Sequence, residues 1–273
     1  MVLFFGYPVV KNVTMSLQHY TASTFFTGQA PWVGFQNYVT VVKSSLFTTT
    51  IVNTALFTLG SIVGQFVLGM LLALFFRRRF PLSNLLRGLL LMPWLLPLIA
   101  SSAVWKWILD QDSGVLNQLL GVFHLSAVPW LVSPHIALLS IVLVNVWLGI
   151  PFNVTILYSG LQEIPTELYE AAELDGAGGW NMFWHITWPS LKSVVTVVLV
   201  LGVVYTLKVL DIILGLTGGG PANSTQTLTT NSYQTSFTLF HFGQGAAISN
   251  ILILVSLVFA LIYLRFAARS NTE

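Results

Sequence analysis

The side chains able to do chemistry in this sequence crowd into one short stretch. Residues 163–192 read EIPTELYEAAELDGAGGWNMFWHITWPSLK, and five carboxylates, Glu163, Glu167, Glu170, Glu173 and Asp175, fall within thirteen positions. Pro165 suits the first turn of a helix, where a missing N–H costs nothing. Glu167 sits near that N-terminus, where the helix dipole favours a negative charge. Ala171 and Ala172 are small enough for another surface to approach the backbone closely. Gly176 suits the left-handed residue that ends a helix. A second amphipathic segment, Trp180–Trp188, runs to Pro189. The pattern predicts a short helix, a glycine turn and a second helix. The chemistry on offer is docking, set against the plainer reading of a solvated helical hairpin.

Other reactive constellations are missing. The chain has no cysteine, so disulfides, thiolate metal sites and cysteine nucleophiles are excluded together. Its five histidines, His19, His124, His135, His185 and His241, lack metal-ligand spacing. No Gly-x-x-x-x-Gly-Lys-Ser/Thr phosphate loop occurs, and Gly218-Gly219-Gly220-Pro221 lacks the lysine and reads as a turn. No Ser-His-Asp arrangement can be argued.

The elements that must carry the acidic stretch are apolar. Of 273 residues 55% are hydrophobic and 7% charged, against roughly 25% charged in a soluble domain. Lipid is therefore the main solvent, and a formal charge of +2 argues against a nucleic-acid partner. A crossing helix needs roughly 20 apolar residues. Ile51–Phe76, Leu85–Trp105, Ile136–Leu161 and Leu191–Leu214 meet that length, and Ala246–Leu264 just does. Met1–Leu17 reads as the outer part of a first, incomplete span. The fold class is all-α, a six-span polytopic membrane protein, one domain over residues 1–273 with a cytoplasmic loop at about 163–190.

Charges orient the set. Arg77, Arg78, Arg79, Arg87, Arg265 and Arg269 are all the arginines, and six spans put them on one side. The positive-inside rule makes that side cytoplasmic, together with the acidic loop and the C-terminus. The protein is expected in a cell (inner or plasma) membrane, with Gln18–Ser45, Ile108–His135 and Gly215–Gly245 as external loops with short interfacial helices. Trp32, Trp105, Trp107 and Trp130 suit an interfacial aromatic belt.

The ordered set Glu170-Ala171-Ala172, Asp175-Gly176-Ala177, Phe183, Ile186 and Pro189, preceded by Ile164-Pro165 and Leu168-Tyr169, resembles the EAA loop of ABC importer permeases. One departure is Trp188, where a leucine is usual. The resemblance covers nearly the whole chain. Tyr7-Pro8 with Ser16-Leu17 resembles the end of the family's first span, and Gly34-Phe35-Gln36-Asn37-Tyr38 the sequence before its second. Leu216-Thr217-Gly218-Gly219-Gly220-Pro221-Ala222-Asn223-Ser224-Thr225 resembles the external loop of the maltose- and glycerol-phosphate-like first permease.

The resemblance implies a coupling element, Glu170, Ala171, Ala172, Asp175, Gly176 and Ala177, docking in a cleft of an ATP-binding subunit. It implies a heterodimer with a second permease, two ATP-binding subunits that hold ATP and Mg, and an extracytoplasmic solute-binding protein. The chain itself would carry no cofactor and catalyse nothing. Sugars, sugar alcohols, glycerol phosphates and glycerophosphodiesters all fit as solutes.

Polar residues within the spans are candidates for the solute path. Asn145, Trp147, Asn153 and Tyr158 surround Gly149-Ile150-Pro151, where a proline bends the helix. Amides, hydroxyls and aromatic rings suit a sugar, and joining helices to each other is the even alternative for Asn145 and Asn153. Lys208 and Asp211, three apart in span five, would share a helix face and pair. They would line the path or form a plain ion pair, or Lys208 would snorkel to the headgroups. Pro93 and Pro97 bend span three, for gating or for packing. Gly60-x-x-x-Gly64 reads as close helix packing, and Asn53, Gln65 and Asn250 as interhelical glue. A secondary transporter would need ionisable residues in its spans and often shows paired repeats, whereas most spans here lack a charge and the richest motif is a cytoplasmic loop. A membrane enzyme would need a catalytic constellation, and none supports it.

Overall fold

The computed structural model of the chain describes residues 2–78 and 80–270. Arg79, counted above in the arginine run, lies outside the described residues, as does the side chain of Arg269. In chain order the helices are α1 (Val2–Ser16), α2 (Ala22–Thr27), α3 (Gln36–Lys43), α4 (Ser45–Arg77), α5 (Ser83–Leu95), α6 (Leu98–Ile108) and α7 (Val115–Val122). There follow α8 (Ala137–Gln162), α9 (Thr166–Leu174), α10 (Gly179–Met182), α11 (Trp188–Leu207), α12 (Asp211–Leu216), α13 (Leu228–Tyr233) and α14 (Phe242–Ser270). A π-helical turn, Phe183–Thr187, makes α10 and α11 one continuous rod. Among the described residues there is no strand, only an isolated bridge between Gln18 and Trp32. The fold is the expected all-α membrane architecture.

Among the described residues four helices are long and apolar enough to cross a bilayer: α4 with 33 residues, α8 with 26, the Gly179–Leu207 rod with 29 and Phe242–Leu261 with 20. Two of the expected spans need correction. Leu85–Trp105 is not one helix, since it divides into α5 and α6 at Leu96-Pro97. Leu96 is extended, with φ −77° and ψ 140°, because the ring of a following proline disfavours the helical region. Pro93, by contrast, is accommodated inside α5. The expected span Leu191–Leu214 ends at Leu207, and Lys208 to Leu210 form a break before α12. Lys208 and Asp211 therefore do not share a helix face, and the i, i+3 argument for their pairing fails.

The residues group into two compact units. One takes in the chain up to Thr58, Leu98–Ile141 and Leu207–Leu261, and the other Leu59–Pro97, Val142–Thr206 and the chain from Ile262.

The first unit is held by side-chain amides and hydroxyls. Asn12 donates to Asn250 at 2.6 Å, and Asn250 donates to the Tyr38 hydroxyl at 3.0 Å. Asn37 donates to the carbonyls of Ser16 and Gln18. The segment 217–230, within the stretch expected as an external loop with short helices, is packed against the chain: Thr225, Gln226, Thr227 and Thr230 are all buried. Asn53 donates to the carbonyls of Asn223 and Gln226, and the Leu228 N–H donates to Thr54. Gln226 donates to Gln234, which donates to the Gly218 carbonyl. Gly219 has φ +93°, a conformation that favours glycine, and a Cβ there would lie 1.8 Å from Gln226 Oε1, so the Gln226 side chain would have to move. In α7, the buried Asn117 accepts from the Trp130 indole and the Val128 N–H, and ahead of it lies a loop closed by Asp110. Asp110 accepts from Ser113 and Asp112. Those bonds, chiefly from the Ser113 backbone, hold its carboxyl below the usual carboxylate range.

The second unit is a packed helical core. Gly64 and Gly69 of α4 lie against α8 so closely that a Cβ at either would come within 2.6 Å of Val146 and of Asn153. Small residues let apolar helices approach where lipid supplies no hydrophobic drive. Gln65 donates to the Asn145 carbonyl at 2.9 Å and lies against Gly149. Below this seam Met70, Ala73, Leu157, Leu161, Ile164, Leu191, Val195 and Val198 form the apolar core.

Candidate functional site

The acidic stretch folds as a helix, a turn and a rod, all within the second unit. Pro165 is the N-cap of α9 rather than its first residue, and Glu167 lies in the first turn. At the other end Asp175 is the C-cap and Gly176 adopts φ +77°. The Ala177 N–H reaches the Ala172 carbonyl at 2.8 Å, and the Gly176 N–H reaches the Glu173 carbonyl at 3.0 Å. These are the two bonds of a Schellman motif, which satisfies carbonyls the helix leaves open.

Two aromatic contacts seat α9 on the core. The Tyr169 ring packs against the apolar cluster and its hydroxyl meets the Thr187 hydroxyl at 2.8 Å. The Arg77 guanidinium covers the other face of that ring at 3.9 Å, a cation–π geometry. Thr187 is buried, and Ile164, buried just ahead of Pro165, fixes the entry of the loop. Sequence reasoning used Arg77 for orientation and Tyr169 for its place in the motif, and missed that they hold α9 together. The signal was available, since Tyr169 is the aromatic residue of an otherwise aliphatic and acidic helix.

The opposite face is open. Glu170, Ala171, Asp175 and Gly176 are exposed, and Ala172 and Ala177 are half-buried. Leu174 is 90% exposed and Trp180 73%. These bare apolar side chains stand beside the acids of α9. Trp180, Phe183, Trp184 and Trp188 stack in succession at ring distances of 5.2–6.4 Å, and Trp188 meets Phe66 of α4. A rigid aromatic strut thus links the loop to the transmembrane core.

The solute-path candidates do not form one cluster. Asn145 and Asn153 are buried at 6% and 3% exposure. Asn153 spends its amide on the Gly149 carbonyl of its own helix, whereas the Asn145 Nδ2 is buried without a hydrogen-bond partner. Trp147 and Tyr158 are half-buried. The Tyr158 hydroxyl accepts from Gln162, and Arg87 stacks over its ring at 4.4 Å. Lys208 and Asp211 are both exposed and belong to the other unit. Gln65 and Asn250 join helices to each other, as expected, whereas Asn53 ties α4 to the connection between α12 and α13.

Comparison with known proteins decides the family of this helical core and its acidic loop. The family described as "Binding-protein-dependent transport system inner membrane component" matches residues 65–271. The chain belongs to that family. It is 35% identical to the trehalose/maltose transport system permease protein MalF of Thermococcus litoralis, over 96% of this chain and 88% of that one. It is 34% identical to the sulfoquinovosyl glycerol transport system permease protein SmoG of Agrobacterium fabrum, over 96% and 85%. The fold is similar to a chain of a bacterial alginate ABC transporter solved with its alginate pentasaccharide-bound periplasmic protein, at TM-score 0.84, 22% identity and coverage of 98% and 90%. The chain is thus the membrane-spanning permease subunit of an ABC importer, a transport subunit in a family whose ATP hydrolysis belongs to a separate subunit. As an inner-membrane component it spans the membrane with several helices.

Proposed function

We propose that this permease forms half of a translocation path for a sugar or a related polyol or glycerol-phosphate solute, delivered by an extracytoplasmic binding protein. It pairs with a second permease and with two ATP-binding subunits that carry ATP and Mg. Residues 1–273 act as one membrane domain, with both compact units contributing. The arginine-bearing ends of the spans and the C-terminus face the cytoplasm.

Coupling runs through the loop at 163–190, with Glu170, Ala171, Ala172, Asp175, Gly176 and Ala177 at the ATPase. The observation that carries this reading is the two-faced α9, fixed to the core by Tyr169 while Ala171 and Leu174 stand free. A bulky Ala171→Trp should insert normally and lose solute-stimulated ATP hydrolysis and uptake. Wild-type uptake by that variant would count against the assignment.

The carbohydrate class is supported by the solutes named for relatives: trehalose/maltose and sulfoquinovosyl glycerol. On this chain the best-supported solute contact is Asn145, whose buried Nδ2 lacks an acceptor that a hydroxyl oxygen would supply. Trp147, Asn153, Tyr158, Lys208 and Asp211 complete the proposed path. Asn145→Leu should weaken uptake while assembly with the ATPase survives. Lys208→Gln with Asp211→Asn should alter uptake rate or solute preference, and unchanged kinetics across a panel of sugars and glycerol phosphates would remove that pair.

A further inference from the structure

A cavity of ≈ 550 Å³ lies where the end of α4, the start of α5 and the start of α9 meet, entirely within the second unit. Arg77, Arg78 and Arg87 line it together with Ser83, Asn84 and Gln162, and no carboxylate is among the described lining residues. The preference for cytoplasmic arginine explains why such residues flank spans. It does not explain three of them on one cavity wall.

Arg87 is the most constrained. Its guanidinium stacks on Tyr158, one terminal nitrogen donates to the Asn84 side chain, and its Nε is buried without a hydrogen-bond partner. A charged donor shut from water needs an acceptor. The start of α5 adds to the demand. Leu82, at φ 66°, precedes a 13-residue helix that no side chain caps and that has no acid in its first turn. Open N–H groups at that end favour an anion, and Ser83 and Asn84 bring the same turn to the cavity wall.

We propose that this cavity binds a phosphate-bearing anion, the headgroup of an acidic phospholipid. Guanidinium groups pair with phosphate oxygens through parallel hydrogen bonds, and basic pockets between spans on the cytoplasmic side suit such headgroups. A lipid is favoured over free phosphate because Phe75, Leu82, Leu85 and Leu89, on and beside the same two helices, are exposed apolar side chains that acyl chains would cover. The site has a consequence for the loop. Arg77 stacks on Tyr169, and Thr166, the first residue of α9, lines the cavity. An occupied site would brace the seat of the coupling helix. Naming the cytoplasmic leaflet rests on the orientation proposed above, whereas the phosphate chemistry does not.

The test is lipid retention by the full chain in nanodiscs of phosphatidylcholine doped with phosphatidylglycerol, read by native mass spectrometry. Wild type should retain phosphatidylglycerol over phosphatidylcholine. Arg78→Gln with Arg87→Gln should weaken that retention about twenty-five-fold, from roughly fivefold per arginine. Arg78→Gln alone, at an exposed position, should give the single step even if the double variant misfolds. Titration with inorganic phosphate separates the sources. Phosphate binding that depends on the arginines, without any lipid preference, would overturn the lipid and keep the anion site. Equal retention of both lipids by wild type and Arg78→Gln, with no arginine-dependent phosphate binding, would overturn the site altogether. Retention is read without uptake or ATP hydrolysis, so its outcome is independent of the transport reading.

Discussion

Two glycine turns, one in each compact unit, have the same backbone hand and opposite surroundings. Gly176 sits at φ +77° with nothing near the place a Cβ would occupy, while Gly219 sits at φ +93° with Gln226 Oε1 1.8 Å from that place. The first belongs to a loop whose outer face is bare, the second to a loop whose side chains are buried and bonded to one another. A substitution at Gly219 must therefore disturb the chain itself. A substitution at Gly176 costs only backbone strain within the chain, and any larger effect reports on whatever docks there.

The largest expected effect is at Gly219. Gly219→Val should break the Gln226–Gln234–Gly218 relay and strain the backbone by roughly 1–3 kcal/mol beyond the clash. Thermal unfolding in detergent should shift down sharply and yield should fall. A normal melting temperature would show that the buried loop does not act as described.

Gly176→Val comes next. The same strain of roughly 1–3 kcal/mol applies, without a clash, so insertion and melting should change modestly while solute-stimulated ATP hydrolysis falls far more. Equal losses in melting and coupling would erase the contrast between the two turns. Position 172 is a poorer probe than position 171, because Ala172 is half-buried and a large residue there would also press on the chain's own core.

Smaller again is Tyr169→Phe, which removes the hydroxyl from the buried Thr187 and should cost about 1 kcal/mol. Hydrogen exchange at the α9 amides should quicken by roughly fivefold, with no change in α13. The smallest is at Asp110. Its lowered pKa means that the stabilising bonds from Ser113 are present above the ordinary carboxylate pKa and lost as pH falls through the lowered value. The Ser113 amide should lose protection in acid below about pH 4, and Asp110→Asn should remove that pH dependence.

The two regions also differ in how readable they were from sequence. The acidic loop announces itself, because a helix-starting proline, a dipole partner and a left-handed glycine are local rules, and the structure follows them with Pro165 one position ahead of the first turn. The close packing of Gly60-x-x-x-Gly64 was readable for the same reason, since its neighbours are Val142 and Val146 on one helix face. What escaped depends on distant partners. Residues 217–230 are rich in Gly, Ser and Thr and so resemble an exposed loop, yet Asn53 and Thr54 from far up the chain bond them inward. Hydropathy averages also run across breaks. The apolar residues on both sides of Pro97 and of Lys208 hid the ends of α5 and α11. Topology by cysteine labelling, open to a chain without native cysteine, should likewise use exposed Asn223 rather than Ser224, whose hydroxyl is buried.

The central claim is that the bare face of α9 meets an ATP-binding subunit. The most direct measurement is photo-crosslinking in intact membranes from a reactive residue placed at Ala171, with Gln29 as the comparison site. The account predicts an adduct with the ATPase subunit from position 171 and none from position 29. No ATPase adduct from position 171, or equal yields from both positions, would contradict it.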